Sequence, residues 1–181
     1  RFGGPVHLRA GETWPMSGQW PMFPLAQIRL SDVAPHDLSG LLPKQGLLRF
    51  WYDLEEMPWG FSPENRSGFR VDFEPDEHAA MSLASPPGRF SSYDAEEGDP
   101  FRACSLSFEA GITVPHTSWA EFGDERDGLM ELPGYEDLLK LIGQSSTPAH
   151  RLLGHPNLIQ QPMEEECQLA SNGVDCGGTT K

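Results

Sequence analysis

The sequence has no apolar run that approaches the ~18 consecutive residues of a membrane-crossing helix. Its longest, residues 46–52, is far shorter and has Arg49 inside it. Cysteine is scarce: Cys104, Cys167 and Cys176 are odd in number and widely spaced, unlike the paired framework of a small secreted scaffold, and a reducing cytosol is the compartment they fit. Basic residues are also few, with 13 Lys and Arg against 27 Asp and Glu and a net charge of minus 14. A field of that sign repels a phosphate backbone and an anionic membrane surface, so neither nucleic acid nor a membrane is an expected partner. Gly-x-Ser-x-Gly, P-loop and Rossmann glycine patterns are missing as well. Gly3-Gly4 and Gly177-Gly178 lack the flanking strand and helix that a phosphate-binding loop requires. No cofactor is expected.

What is present is punctuation: 19 Gly and 17 Pro among 181 residues break regular structure often enough to exclude long helices over most of the chain. Its length suits one ordinary domain. Arg1 and the Phe2-Gly-Gly-Pro5 segment read as the interior of a longer chain, which leaves a processed leader open. Trp14-Pro15 and Trp20-Pro21 place extended or turning backbone in the first forty residues. Strands are expected near residues 25–30, 47–52, 69–74 and 104–108. In the first, Ala26, Ile28 and Leu30 alternate with Gln27 and Arg29; the second, apolar on both faces apart from Arg49, is the central one. Phe69-Arg-Val-Asp-Phe-Glu74 alternates cleanly, which predicts aromatic and β-branched residues inward and charges outward. Ser31 to Pro35 reads as a turn, residues 112–115 as further strand material, and residues 75–100 as a mobile surface loop rich in Glu, Asp, Ser, Pro and Gly. Residues 134–142 carry the one well-signalled helix, with Tyr135, Leu138, Leu139 and Ile142 at helical spacing, acids in the first turn and Gly143 as a stop. The fold class is therefore α+β, a β-rich mixed sheet with short strands and few helices.

The residues able to carry chemistry are few. His150 and His155 are five apart around a glycine, which is not the i, i+4 spacing of a helical zinc pair, and Cys167 and Cys176 form no tight hook beside them. Structural histidines without a metal are the favoured reading. Cys104 reads as a small hydrophobe in a strand rather than a nucleophile. Glu164, Glu165 and Glu166 form a like-charge run, either a solvated face or a docking surface for a basic partner. Of the tryptophans, Trp14 is the best candidate for a ligand cleft, because its proline-rich segment offers no regular structure to pack it.

Several segments taken in order resemble the YwqG-like family, a bacterial domain of unknown function: Phe2-Gly-Gly-Pro5, Glu12-Thr-Trp-Pro15, Pro24-Leu-Ala-Gln-Ile-Arg-Leu30, Leu42 to Asp53, and His150-Arg-Leu-Leu-Gly-His-Pro-Asn-Leu-Ile-Gln160. The resemblance implies a β-rich α+β fold with a duplicated half, and no established activity. Residues 1–181 then form a single domain that lacks the strands with which family members continue beyond the equivalent of Cys167. Gln27, Arg29 and Gln160, which lie in these segments, join Trp14, His150, His155 and the Glu164–Glu166 run as binding candidates, with no catalytic or metal residue named. The leading reading is a cytoplasmic binding or regulatory module with an acidic surface for a basic protein, more a binder than an enzyme. The alternative is a small hydrolase or metal-dependent enzyme using His150 and His155.

Overall fold

The computed structural model describes residues 1–85, 87, 102–115, 133–142, 150–156 and 163–177, with Met163 and Glu165 described by their backbone. It divides into two compact units, Arg1–Ala110 and Gly111–Lys181. Seven strands stand against three short α-helices and one 3-10 helix among the described residues, a β-rich α+β architecture.

The first unit is built on a three-stranded antiparallel sheet of β4 (Phe23–Arg29), β5 (Leu47–Tyr52) and β6 (Phe69–Glu74), with β5 in the middle. Ahead of it β1 (Val6–Arg9) pairs antiparallel with β7 (Met81–Ala84), and β2 (Met16–Ser17) with β3 (Trp20–Pro21). Val6 and Leu8 point inward from β1 while His7 and Arg9 alternate with them, the period-2 pattern of a strand with one buried face. With Met22 and Trp51 they make the hydrophobic core, against which Trp14 and Ala84 pack.

Two carboxylates hold the connections between strands. Asp37 accepts the backbone N–H groups of Ser39, Gly40 and Leu42 and the Ser39 hydroxyl, an Asx-type turn beyond the one-turn helix α1 (Leu30–Val33). Glu77, buried, accepts the N–H of Gly46 at 3.0 Å and of Ser31 at 3.4 Å, tying the end of β4 to the start of β5. Gly46 has a φ of +120°, and a Cβ there would lie 2.5 Å from Phe73 Cε2 and 2.8 Å from the Glu74 carbonyl oxygen. Because that oxygen belongs to the sheet and cannot swing aside, Gly46→Ala is expected to cost ~1–3 kcal/mol, measured as a lower urea midpoint.

Several expectations need correction. The charged side of β6 faces inward and its apolar side outward: Glu74 is buried, whereas Phe69, Val71 and Phe73 are 47 %, 59 % and 47 % exposed. The alternation was legible but its sense was not, because the ion pair of Glu74 with Arg9 on β1 and the bond to Asp72 from the Trp51 indole on β5 reward turning the acids inward. Residues 104–108 form no strand. Cys104 makes a single antiparallel bridge with Phe2, which also bridges Ala26. Residues 112–115 likewise carry no strand. Ser31–Val33 belong to α1, with Leu30 and Val33 buried as its anchors. Within the stretch read as loop, Met81–Ala84 is β7, held by backbone pairing to β1 rather than by any strong pattern of its own.

In the second unit α2 (Tyr135–Leu141) occupies the expected helical stretch, entered through Gly134 at φ +89°. Lys140 lies 4.0 Å from Glu136 and 3.5 Å from Asp137, the usual helical spacing of charge pairs. A further helix, α3 (Met163–Ser171), runs through the glutamate run. Met, Glu, Gln, Leu and Ala are all good helix formers, and acids suit a first turn, so the signal was one of propensity rather than periodicity.

Candidate functional site

The antiparallel register puts Gln27 opposite Arg49 and Arg49 opposite Asp72; in the adjoining rows Leu47 faces Glu74, and Trp51 faces Arg70. Residues directly opposite share a face, and so do residues two apart on one strand. One face of the sheet therefore carries the polar and charged residues, with the buried Leu47 and Trp51 among them, and it lies against β1 and the segment that follows it. There Arg49, only 5 % exposed, is gripped at both terminal nitrogens by Glu12, Nη2 to Oε1 at 2.6 Å and Nη1 to Oε2 at 3.0 Å. Nη1 also donates to the His7 carbonyl at 3.1 Å. Arg9 makes the same two-pronged contact with Glu74, both bonds 2.5 Å long. Asp72 accepts from the Trp51 indole N–H at 2.9 Å and from Arg70 Nε at 2.5 Å.

Electrostatically the cluster is closed on itself. Burial pushes the Glu12 carboxyl up, but the bonds from the Arg49 side chain and the Arg9 backbone N–H outweigh it and leave the group below its ordinary range. The Arg9 guanidinium, followed by the Asp76 backbone N–H, holds Glu74 low, and Glu74 in turn raises Arg9. Glu12, Glu74 and Arg9 thus stay ionised near neutrality, and each charge is spent on its neighbour. What the cluster still offers is neutral hydrogen-bonding capacity. Gln27 is 6 % exposed, and its Oε1 lies 3.0 Å from His7 Nδ1. Its Nε2, like Arg49 Nε, has no partner among the described residues.

Of the candidates read from sequence, Gln27 belongs to this cluster. Trp14 lies beside it, but packing accounts for its position: its ring stands edge-on to Trp51, with centroids 5.2 Å apart at 77°, and its N–H donates to the Met22 carbonyl at 2.9 Å. Arg29 is exposed at the end of β4. His7, Glu12, Arg49 and Glu74 were missed. The available signals were the Val6-His-Leu-Arg9 alternation and a lone arginine in an otherwise apolar central strand.

The second unit carries the remaining candidates. Leu153 and Gly154 are successive left-handed residues, at φ +67° and +77°, and turn the chain between His150 and His155. The His155 backbone N–H donates to Thr113 Oγ1 at 2.9 Å, and its carbonyl accepts from Arg151 at 3.4 Å. His155 is half-buried by this anchoring and His150 is exposed. On α3, Glu164 and Glu166 are half-buried rather than solvated: both Glu164 oxygens and Glu166 Oε1 are shielded from solvent with no partner among the described residues. Burial, followed by the charges of Glu164 and Glu166, pushes the Cys167 thiol up, away from the thiolate a nucleophile needs. Gln160 and the Glu165 side chain lie outside the described residues. Among those described, no three His, Cys, Asp or Glu side chains gather as a metal site would require, and no helix is long and apolar enough to cross a membrane.

A family model described as a domain of unknown function, DUF1963, matches residues 1–175. No curated protein matches the chain.

Proposed function

We propose, for a chain that belongs to the DUF1963 family, that the protein works by binding rather than catalysis and that its acidic exterior engages a basic polypeptide. The observation that carries this reading is the distribution of charge. Residues 1–110 hold 9 Lys and Arg against 16 Asp and Glu, and residues 111–181 hold 4 against 11. In the first unit Arg9, Arg49 and Arg70 are already matched by Glu74, Glu12 and Asp72, so the acids beyond them outnumber the cations by about two to one. A summed field of this kind accelerates encounter with a cationic partner more than it tightens the final complex. The finer family placement, YwqG-like, is supported by the order of the Pro24–Leu30, Leu42–Asp53 and His150–Gln160 segments. A reducing cytoplasm is supported by the odd number and wide spacing of Cys104, Cys167 and Cys176.

Capture from cell extract at low salt should recover a basic protein whose association rate falls about tenfold or more between low and high ionic strength. Glu136→Gln with Asp137→Asn, and separately Glu164→Gln, Glu165→Gln and Glu166→Gln together, should slow association while leaving dissociation nearly unchanged. Recovery of acidic partners alone, or an association rate indifferent to salt and to both sets of substitutions, would leave the acidity with a role in solubility only.

A further inference from the structure

We propose that β6 is the contact strand of a symmetric homodimer, in which two copies of the chain join their sheets edge to edge. β6 ends the order β4-β5-β6, and among the described residues no strand pairs with its outer side. Its register shows which backbone groups that side presents. The Asp53 N–H donates to the Gly68 carbonyl at 2.8 Å, one step beyond the facing pair Tyr52 and Phe69. Opposite residues that bond in this way alternate with pairs that do not, so Arg70, Asp72 and Glu74 direct their N–H and C=O groups to β5. Those of Phe69, Val71 and Phe73 point to the open edge. The same three residues carry the exposed apolar side chains of the strand. An edge with unpaired backbone and an apolar flank is a template for another strand.

The order of charges selects a second copy as that strand. Antiparallel pairing about a two-fold axis at Val71 sets Val71 against the partner's Val71, Phe69 against the partner's Phe73 and Arg70 against the partner's Asp72. The first two pairs exchange hydrogen bonds through the groups that face the edge and bring apolar side chains together on the outward face. The third joins opposite charges on the inward face, where the Arg70 side chain remains 56 % exposed although its Nε bonds Asp72 of its own strand. Sliding the register by two residues sets Arg70 against the partner's Arg70 in one direction and Asp72 against the partner's Asp72 in the other, and like charges directly opposite weaken a pair. Glu74, which the second shift would offer to Arg70, is already held by Arg9. The strand is thus complementary to itself in one register, as a closed two-fold interface requires. A strand of 6 residues makes a small interface, so a weak dimer is expected, with a dissociation constant of roughly 10–100 μM.

Sedimentation velocity of the full chain at about 0.3 M NaCl, where repulsion between two copies of minus 14 is screened, should show a monomer–dimer equilibrium in that range. As concentration rises through it, amide exchange at Phe69, Val71 and Phe73 should slow about threefold or more, while Arg70, Asp72 and Glu74, already bonded to β5, stay unchanged. In a mixture of labelled and unlabelled chains, the Cα protons of Arg70 and of the partner's Asp72 should be in contact, because facing residues that exchange no hydrogen bond bring their Cα atoms to about 4.5 Å. Val71→Lys sets two ammonium groups across the axis and should raise the dissociation constant about tenfold or more. Val71 is exposed, so that variant should keep its fold; if it does not, Arg70→Glu serves, since it sets a carboxylate against the partner's Asp72 and should weaken the dimer similarly. A chain that stays monomeric, which would leave the edge to a strand of another polypeptide, overturns the proposal. So does a dimer whose three edge amides exchange as in the monomer, as stacking of the outward faces would give, or one indifferent to both substitutions.

Discussion

Replacing Glu12 by alanine is expected to lower stability by ~3–5 kcal/mol, because it leaves the Arg49 guanidinium buried and without its counter-charge. The reciprocal change should cost less. The Arg49 side chain is 6 % exposed and that of Glu12 is 26 %, so a carboxylate deprived of Arg49 can turn to water while a guanidinium deprived of Glu12 cannot. Arg49→Met, which keeps much of the apolar stem, should therefore be the milder substitution, and the double variant should be milder than the two single effects added. Urea unfolding of the four proteins in this cycle reads the asymmetry directly, and equal losses from the two single changes would contradict it. Acid reaches the same end by protonation. The Glu12 carboxyl is held below its ordinary range when folded, so its contribution is fully present above the unfolded carboxylate value, ~4.3, and is lost as pH falls through the depressed folded value.

Trp51→Ala should be comparably severe, ~3–5 kcal/mol, since it empties the centre of the core. Trp51 is 1 % exposed on the middle strand, meets Trp14 edge-on and donates to Asp72. Trp51→Phe separates these contributions. It retains a ring for Trp14 and gives up the bond to Asp72, which keeps Arg70, so ~1–2 kcal/mol is expected. A loss below ~1 kcal/mol for the alanine variant would mean that Trp14 and Met22 close over the gap, against the usual behaviour of packed cores.

The sheet was legible in the sequence where local pattern and tertiary environment agree. Residues 25–30, 47–52 and 69–74 announce β4, β5 and β6 through alternation and β-branched or aromatic content, and residues 134–142 announce α2 through apolar spacing and an acidic first turn. The direction in which β6 faces was not legible, because alternation has two senses and the choice rests on partners distant in sequence: Arg9 for Glu74, and Trp51 for Asp72. β7 was hidden for a related reason, since its residues become a strand only through the backbone of β1. Gln27 was singled out within a family segment; Glu12 and Arg49 lie in such segments too but were passed over, because a salt bridge between residues 12 and 49 leaves no periodic trace.

The pairing of β1 with β7 also orders events in time. Strands β4, β5 and β6 follow one another along the chain and pair with their sequence neighbours, so this meander closes through connections of 17 and 16 residues, far shorter than the span from β1 to β7, and can assemble early. β1 has no such local partner: Val6 must wait for Ala84, and the entropy of closing that long loop is repaid only when the strand pair and the core beneath it form together. On a ribosome β1 emerges ahead of the sheet but completes its strand pairing only after β7 is made. Until residues 81–84 are made, β1 can cover one face of the sheet only through its own contacts, those of His7 with Gln27 and Arg49 and of Arg9 with Glu74. The face that β1 covers carries Leu47 and Trp51 beside these charged groups, so during synthesis it is a mixed surface rather than a wholly apolar one.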